Sequence, residues 1–340
     1  MKKVLVVSLT KFFGGGESFI TSHLKNIDGI DFYYIIASEQ LYKELPVSKT
    51  ILIHQTGLFQ VVKQVKKFVS EKEIDVVILN GGRSLFLAPF IHRYSACAGI
   101  RHTLNTSVKA SVFYRAFYIG ALNVSYIFMK AVVHVSQKSK SEQFLANQKA
   151  VVIYNGVSVK TVSRKNKDFS EKNFLFVGRL TTEKGVDILI DAFNEICQSD
   201  DSIHLHLVGQ GEIDKSYPHH ANIHFEGFRT DLESYYRSAD WYISLTSKEN
   251  CSISVLDAMS YGVPVITTNV GGNPELVQNA DNGFIIERSK EAVIELFNSR
   301  LKNILFEKYI MFSKSALQIQ KEKFSLENQK LAYKALLESL

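Results

Sequence analysis

The amino-acid sequence predicts an α/β protein built from two domains. Short apolar runs alternate with longer amphipathic segments, a pattern typical of parallel strands joined by crossover helices. This alternation stops near residue 165 and then starts again. The length of 340 residues and the hydrophobic content of 46% are sufficient for two separate cores. We therefore expect one α/β domain on each side of that point.

The first series of elements starts with the strand KVLVVSL and continues through ESFITSHLKNI, DFYYIIA, FQVVKQVKKFVSEK, DVVILN and KAVVHVS. The second series contains NFLFVGRL, VDILIDAFNEICQ, IHLHLVGQG, NIHFEG, DLESYYRSA, DWYISLT, ISVLDAMSYG and VPVITT. Between them lies SVKTVSRKNKDFSEK, which is polar and has no apolar periodicity, so it is interpreted as a linker. These patterns predict a first domain over 1–160, a linker over 161–172 and a second domain from residue 173.

Cysteine content and charge narrow the class of protein. Cys97, Cys197 and Cys251 are far apart and lack a C-x-x-C spacing, so neither a disulfide framework nor a zinc site is expected, and a reducing cytosol fits best. Residues 1–160 contain 20 Lys and Arg against 9 Asp and Glu, a net charge of +11, whereas the remainder carries −5. A basic half suits nucleic acid, an anionic membrane or a phosphorylated acceptor. The sequence has no helix-turn-helix, zinc-finger or RNP-like pattern, which disfavours nucleic acid.

One aromatic stretch leaves two interpretations open. The run AFYIGALNVSYIFM has 14 residues, short of the roughly 20 that span a bilayer, so no transmembrane helix is expected. Lys109, Arg115 and Lys130 lie around its aromatic side chains. Such a segment suits either a membrane interface or a buried core helix with solvated ends. The N-terminal run VLVVSL is interpreted as a buried strand rather than a signal peptide.

Two loops carry residues suited to phosphate. Gly14, Gly15 and Gly16 follow the first strand and precede a helix, so their backbone can approach a phosphate, although such glycines more often form a simple tight turn. The loop lacks the G-x-G-x-x-G and G-K-[ST] patterns. In the second half, Arg179 follows a strand and Lys184 opens a helix, so both could neutralise a diphosphate in the crevice above the strands. The alternative is a solvated loop.

Two carboxylates mark a third loop. Glu249 precedes a predicted helix over residues 254–260, and Asp257 would lie on the first turn of that helix. A helix N-terminus offers free N–H groups and partial positive charge, which suit a phosphate ester. We therefore expect both carboxylates to line one pocket.

In combination, these blocks resemble family 4 glycosyltransferases, which are retaining enzymes with the GT-B fold. The resemblance rests on VGRLTTEKGVDILIDAF, LVGQGE, IHFEGF and SLTSKENCSISVLDAMSYGVPVITTNVGGNPELV, in that order. It implies two Rossmann-like, doubly wound domains facing a central cleft, with the acceptor side in 1–160 and nucleotide-sugar binding in 173–318. VIYNGV resembles the block that closes the first domain. KFSLENQKLAYKALLESL resembles the C-terminal helix, expected over 319–340 and packing back toward the first domain.

The resemblance also implies roles for single residues. Glu249 would touch the transferred sugar, and Asp257 would hold the ribose hydroxyls, in a motif where the family has a second glutamate. Arg179 and Lys184 would contact the diphosphate. Either His102 or Asn105 would lie close to the reacting carbon. The other expected donor-binding residues are Gly15, Gly16, Gly209, Phe228 (near the base), Cys251, Ser252, Ile253 and Ser254.

The implied function is transfer of a sugar from a nucleotide-diphosphate donor to a glycan or lipid-linked acceptor in the synthesis of a bacterial capsule, lipopolysaccharide or similar surface polysaccharide. No metal or other cofactor is expected, because the sequence has no D-x-D pair and Arg179 and Lys184 can replace a divalent ion. The expected location is the cytoplasm or the inner face of the plasma membrane. Asp257 and the uncertain histidine motivate an alternative, an inactive GT-B subunit supporting a partner transferase. A nicotinamide enzyme is disfavoured by the missing dinucleotide motif.

Overall fold

The computed structural model describes residues 1–12, 14–54, 57–103, 111–160 and 171–340. The chain forms two compact units, one made of 1–154 with 327–340 and the other of 155–326. The units thus divide at different residues from the predicted domains, and most of the predicted linker lies outside the described residues. Both units are built on parallel sheets, which confirms the predicted α/β class.

The first unit contains a parallel sheet whose strand order is β3-β2-β1-β4-β5-β6-β7 in the described residues. Its strands are β1 (Lys2–Ser8), β2 (Ile30–Ile36), β3 (Thr50–Leu52), β4 (Val76–Asn80), β5 (Ala96–Arg101), β6 (Ala131–His134) and β7 (Ala150–Val152). Residues 4–7 of β1 and the whole of β4 are buried, because apolar layers cover both faces of the sheet. A strand covered on both faces is a continuous apolar run, which explains why KVLVVSL and DVVILN were recognisable.

Helices of the first unit connect these strands. They are α1 (Gly15–Ser22), α2 (Glu39–Glu44), α3 (Leu58–Lys72), α4 (Ala88–Ile91), α5 (Val112–Ile127) and α6 (Gln137–Ser141). The helix predicted in ESFITSHLKNI ends at Ser22 and is followed by a short 3₁₀ turn over Leu24–Asn26. Within the described parts of the chain, each helix is either too short or too polar to span a bilayer.

The second unit contains a parallel sheet whose strand order is β10-β9-β8-β11-β12-β13 in the described residues. Its strands are β8 (Lys172–Val177), β9 (Ile203–Val208), β10 (Ile223–Gly227), β11 (Trp241–Ser244), β12 (Val265–Thr268) and β13 (Gly283–Ile286). Its helices are α7 (Val186–Ser199), α8 (Glu233–Ser238), α9 (Ile253–Ser260), α10 (Asn273–Leu276), α11 (Lys290–Leu296) and α12 (Phe306–Lys323). Trp241 is fully buried and packs against Phe284 and Phe312 in the core.

The last helix, α13 (Leu326–Ser339), belongs almost entirely to the first unit. The single helix predicted over 319–340 is therefore divided between α12 and α13, because the chain leaves helical geometry at Phe324. There the N–H of Val157 donates to the Phe324 carbonyl at 3.0 Å. Tyr333 and Leu337 of α13 are buried in the same cluster as β1, and Lys2 Nζ donates to the Leu337 carbonyl at 2.8 Å.

Candidate functional site

The loops after β8 and β11 meet in the second unit, where the strand order reverses. These strands are neighbours in the sheet, although β9 follows β8 in the chain. Ligands of doubly wound sheets bind in the crevice beyond the carboxyl ends of the strands at such a switch point. The β8 loop carries Arg179 and Lys184, and the β11 loop carries Glu249. The fold thus brings together two loops that the sequence analysis had selected separately.

Lys184 and Glu249 form an ion pair at this edge of the sheet. Lys184 Nζ lies 2.8 Å from Glu249 Oε2, and each side chain is 20% exposed. The other carboxylate oxygen, Oε1, accepts from the N–H of Asn250 at 3.1 Å. A charge-assisted contact between two largely buried groups is held more firmly than an exposed pair. The ammonium and the carboxylate are thus fixed next to each other and remain partly accessible.

Gly185 makes the close approach of these loops possible. It has φ +75°, and a Cβ added there would lie 2.4 Å from the Leu245 carbonyl oxygen. The N–H of Ser247 donates to the Glu183 carbonyl at 2.9 Å, and Arg288 Nε donates to the Leu245 carbonyl at 2.9 Å. Sequence reasoning missed Arg288, which is distant in the chain and belongs to none of the selected motifs.

The block LVGQGE also holds two loops of the second unit close together, as Gly185 does. Gly209 has φ +144°, and a Cβ there would lie 1.8 Å from the Gly178 carbonyl oxygen, so the loops after β8 and β9 run in backbone contact. Glu212 Oε1 accepts from the Thr182 N–H at 3.0 Å and from the Thr182 hydroxyl at 3.1 Å. Gly209 and Glu212 therefore fix the loop that carries Lys184.

Two predicted residues lie at exposed positions of the same unit. The Arg179 side chain is 67% exposed and pairs with Glu183 at 3.3 Å between Nη2 and Oε1. Phe228 follows β10 and is also exposed. Both side chains are free of the core, so a ligand could contact them without disturbing the fold.

Helix α9 starts one residue earlier than predicted. Ser252 is its N-cap, with Oγ accepting from the Val255 N–H at 3.4 Å, and the helix begins at Ile253. Asp257 consequently lies beyond the first turn, and the prediction of a first-turn position is wrong. Cys251 precedes the cap, and its carbonyl accepts from Asn155 Nδ2 at 3.0 Å. Burial raises the pKa of Cys251 to about 12, so the thiol stays protonated and is a poor nucleophile.

The carboxyl group of Asp257 is buried, and its pKa is shifted. Burial raises its pKa to about 6, and Lys160 opposes that rise. Burial, and less strongly the carboxylates of Glu249 and then Asp257, raises the pKa of Tyr242. Both carboxylates therefore act on one buried phenol. Next to it, Tyr236 stacks on Tyr261 with ring centroids 5.4 Å apart.

In the first unit, the glycine loop is organised by Glu17. Ser8 Oγ donates to Glu17 Oε1 at 3.0 Å, and the Gly14 N–H donates to Oε2 at 3.2 Å. Burial raises the pKa of Glu17, while these hydrogen bonds oppose that rise. Gly15 and Gly16 open α1 immediately after this contact, and a Cβ at Gly15 would meet nothing within 4 Å. The loop is therefore fixed and open at Gly15.

His102 lies beside this loop. Its Nε2 is 2.9 Å from Asn80 Oδ1, and Asn80 Nδ2 donates to the Gly16 carbonyl at 3.1 Å. Burial lowers the pKa of His102 to about 4, so the ring is neutral at pH 7. With the amide oriented in this way, Nε2 carries the proton. Asn105 lies outside the described residues. The sequence analysis missed Asn80. The sequence feature that could have identified it is its position as the polar residue at the end of the apolar run DVVILN.

In the part of the chain that the structure describes, no group of three or more His, Cys, Asp or Glu side chains is placed to hold a metal ion. The charged groups at the second unit's switch point include Lys184, Glu249 and Arg179, and Asp257 lies in the helix that follows. Such a combination of cations and carboxylates suits a ligand that carries both an anionic group and hydroxyl groups.

Two doubly wound units with these sheet orders define the fold class as GT-B, as predicted. The crystal structure of Anabaena HepE in complex with UDP has a TM-score of 0.85 and 20% sequence identity, with all of both chains covered. The same protein in complex with UDP-glucose has a TM-score of 0.79. At this identity the likeness concerns the fold.

Sequence comparisons find similarity to glycosyltransferases. Residues 171–303 match the family model described as glycosyl transferases group 1. An uncharacterized glycosyltransferase of Methanocaldococcus jannaschii is 31% identical over 218 residues, which cover 60% of this chain and 57% of the relative. The O-antigen biosynthesis glycosyltransferase WbnH of Escherichia coli is 27% identical over 209 residues, 60% of this chain and 58% of the relative. The chain thus spans under two thirds of the length of these relatives.

Proposed function

We propose that this chain is a retaining family 4 glycosyltransferase that moves a sugar from a nucleotide-diphosphate donor to a glycan or lipid-linked acceptor. The observation that carries the proposal is the contact between Lys184 and Glu249 at 2.8 Å. It joins a cation suited to a diphosphate and a carboxylate suited to sugar hydroxyls at the switch point of the sheet. Both residues lie in the segment that matches the glycosyl transferase model.

The reaction needs stabilisation of negative charge on the leaving group. The bond between the anomeric carbon and the diphosphate oxygen breaks, and the electron pair goes to that oxygen. An acceptor hydroxyl oxygen bonds to the anomeric carbon and gives up its proton. Lys184, Arg179 and the N–H groups at the start of α9 would stabilise the departing diphosphate, because fixed positive groups aimed at developing charge lower the barrier. These groups do the work of a divalent ion, so no metal or other cofactor is proposed.

The two carboxylates would take different parts of the donor. Glu249 would accept hydrogen bonds from hydroxyls of the transferred sugar, while its contact with Lys184 orients it. Asp257 would accept from the ribose hydroxyls, and those donors would favour its ionised form and offset the burial that raises its pKa. Cys251, Ser252, Ile253 and Ser254 would border the donor with backbone groups, with Phe228 near the base. Gly15, Gly16 and His102 remain predictions for donor contacts from the first unit.

The biological role that we propose is synthesis of a bacterial surface glycan. Its support is the similarity to WbnH, named for O-antigen biosynthesis. The similarity to HepE, which was crystallised with UDP and UDP-glucose, supports a nucleotide-sugar donor. A cytoplasmic location, where nucleotide sugars are made, belongs to the same proposal. The inactive-subunit alternative rests on Asp257 and the uncertain histidine, and the intact Lys184–Glu249 pair does not favour it.

A binding screen followed by a transfer assay tests the proposal. We expect one nucleotide sugar of a panel to raise the melting temperature, because a ligand at 100 times its Kd stabilises by roughly 2.7 kcal/mol. The purified chain should then hydrolyse or transfer that sugar in the presence of EDTA. NMR of the product should show the donor's anomeric configuration. Binding without turnover by the wild type would favour the inactive subunit, and inversion would exclude a retaining mechanism.

A further inference from the structure

Helix α5 presents aromatic side chains to solvent. Phe113 is 88% exposed and Phe117 is 74% exposed, and Val112 and Tyr114 are exposed as well. The opposite side of the helix is anchored, since Tyr126 is fully buried. The first turns of α5 are therefore solvated, whereas Leu122 and Tyr126 in its second half are buried. Exposed apolar patches of this kind mark interaction surfaces.

The exposed face continues onto neighbouring elements. A surface groove of about 520 Å³ is lined by side chains from the start of α3, from the turn before α4, from α4 and from α5. We use the term α5 face for the exposed apolar residues at this groove and beside it, which are Leu58, Phe59, Phe90, Phe113, Phe117 and Val124. Phe59 and Phe90 pack edge to face with centroids 6.5 Å apart. The face thus spans three helices.

The surroundings of the α5 face are positively charged. Between Asp75 and Glu142 the sequence contains no acidic residue and eight Lys and Arg residues. Arg83 lines the groove and Arg115 lies within α5 itself. On α3, Lys66 Nζ lies 4.7 Å from the centroid of the Tyr94 ring. A partner for this surface must therefore accept aromatic side chains and carry negative charge.

We propose that the α5 face docks the first unit on an anionic lipid bilayer. Aromatic rings are favoured at the boundary between headgroups and acyl chains, and basic side chains are attracted to acidic headgroups. A second copy of the chain fits less well, because pairing two α5 faces would bring like charges together without acidic partners. This inference concerns membrane binding alone, so it stands or fails independently of the proposed transferase activity.

Vesicle sedimentation without nucleotide or sugar tests the docking. Vesicles with phosphatidylglycerol should bring down the protein at low salt, and phosphatidylcholine vesicles should bring down much less. The Phe113→Ser/Phe117→Ser variant should bind at least about tenfold more weakly, since its apolar contacts are lost. The Arg83→Glu/Arg115→Glu variant should lose at least about fivefold per side chain. Matched controls on exposed positions of the second unit, Leu305→Ser/Met311→Ser and Lys308→Glu/Lys314→Glu, should bind as the wild type does.

Fluorescence locates the contact. Trp241 is the one tryptophan of the sequence and is fully buried, so it gives a constant background. The emission of a Phe117→Trp variant should shift to shorter wavelength with anionic vesicles, and that of a Met311→Trp variant should not. Equal sedimentation with neutral and anionic vesicles, or wild-type binding by Phe113→Ser/Phe117→Ser, would overturn the proposal. A dimer that this variant dissociates, without vesicle binding, would assign the face to a second copy instead.

Discussion

Lys184 Nζ lies 2.8 Å from Glu249 Oε2, although the two residues are 65 positions apart in the chain. The pair exists because β8 and β11 are adjacent and because Gly185 lets the β8 loop touch the Leu245 carbonyl. The distance between these two side chains depends on how the loops after β8 and β11 pack. A substitution that moves either loop should therefore also change the geometry of the candidate site.

Glu249→Gln should remove most transfer activity while the fold stays intact. The amide has the same size but cannot pair with Lys184 or accept as strongly from sugar hydroxyls. Lys184→Ala and Arg179→Ala should each lower kcat by roughly 100-fold or more, by analogy with the loss of one oxyanion donor. Initial rates at saturating donor measure both effects. Glu71→Gln, in the exposed pair with Lys67, is the matched control and should keep wild-type rates. Near-normal turnover of Glu249→Gln would remove Glu249 from the site.

Asp257→Asn should stabilise the ligand-free protein at neutral pH and weaken nucleotide binding. The folded pKa of about 6 lies above the ordinary value of 3.8, so the folded state holds this proton more tightly. The contribution of this group to the unfolding free energy therefore falls as pH rises, by about 2 kcal/mol between about pH 4.5 and pH 7.5. Urea unfolding at both pH values should show that the free energy of the wild type, relative to that of Asp257→Asn, falls by this amount. A parallel pH dependence in the two proteins would contradict the burial of this carboxyl.

Nucleotide affinity should respond to the same group. If ribose hydroxyls donate to the Asp257 carboxylate, binding needs the ionised form, and the affinity should fall as pH drops below about 6. Isothermal titration across this range measures the effect and the accompanying release of a proton. Asp257→Asn should bind more weakly than the wild type above about pH 6 and should lose the dependence. Unchanged donor affinity in this variant would exclude the ribose role.

His102 should destabilise the protein in acid. Burial lowers its pKa to about 4, so the unfolded chain takes up a proton first as pH falls below the ordinary value of 6.5. The stabilisation is present above 6.5 and decreases toward 4, by about 2 kcal/mol between about pH 7 and pH 5. Urea unfolding of His102→Gln should show a smaller loss over that range. His219→Gln, at an exposed position, should behave as the wild type does, and equal slopes for all three proteins would contradict the burial of the His102 ring.

Two glycine substitutions should have opposite effects. Gly185→Ala places a Cβ 2.4 Å from the Leu245 carbonyl oxygen at φ +75°, so it should lower the melting temperature and displace Lys184 from Glu249. Gly120 lies inside α5, and a Cβ there meets nothing within 4 Å. Gly120→Ala should therefore raise the free energy of unfolding by about 0.5–1 kcal/mol. Calorimetry of both variants measures the contrast, and equal shifts of one sign would contradict it.

Much of the fold could be predicted, because strands buried on both faces give continuous apolar runs such as those of β1 and β4. The proximity of Lys184 and Glu249 also follows from loops at one edge of a sheet. The start of α9 could not be fixed to the residue, since the stretch from Asn250 to Ser254 contains several polar residues that can cap a helix. Asn80 and Arg288 act through contacts between residues far apart in the chain, which no local pattern encodes. The exposure of α5 was ambiguous because aromatic helices occur both in cores and at interfaces.

The position of α13 sets an order for folding during synthesis. Tyr333 and Leu337 complete the core that contains β1, yet they are translated more than 170 residues after the last strand of that sheet ends at Val152. At about 5–20 residues per second, a ribosome takes roughly ten to forty seconds to cover that distance. During this interval the second unit, which is contiguous in the chain, can fold while apolar surface of the first unit still awaits its helix. The first unit is therefore translated before the second unit but completed after it. Its uncovered apolar surface is where we expect a chaperone to bind the nascent chain.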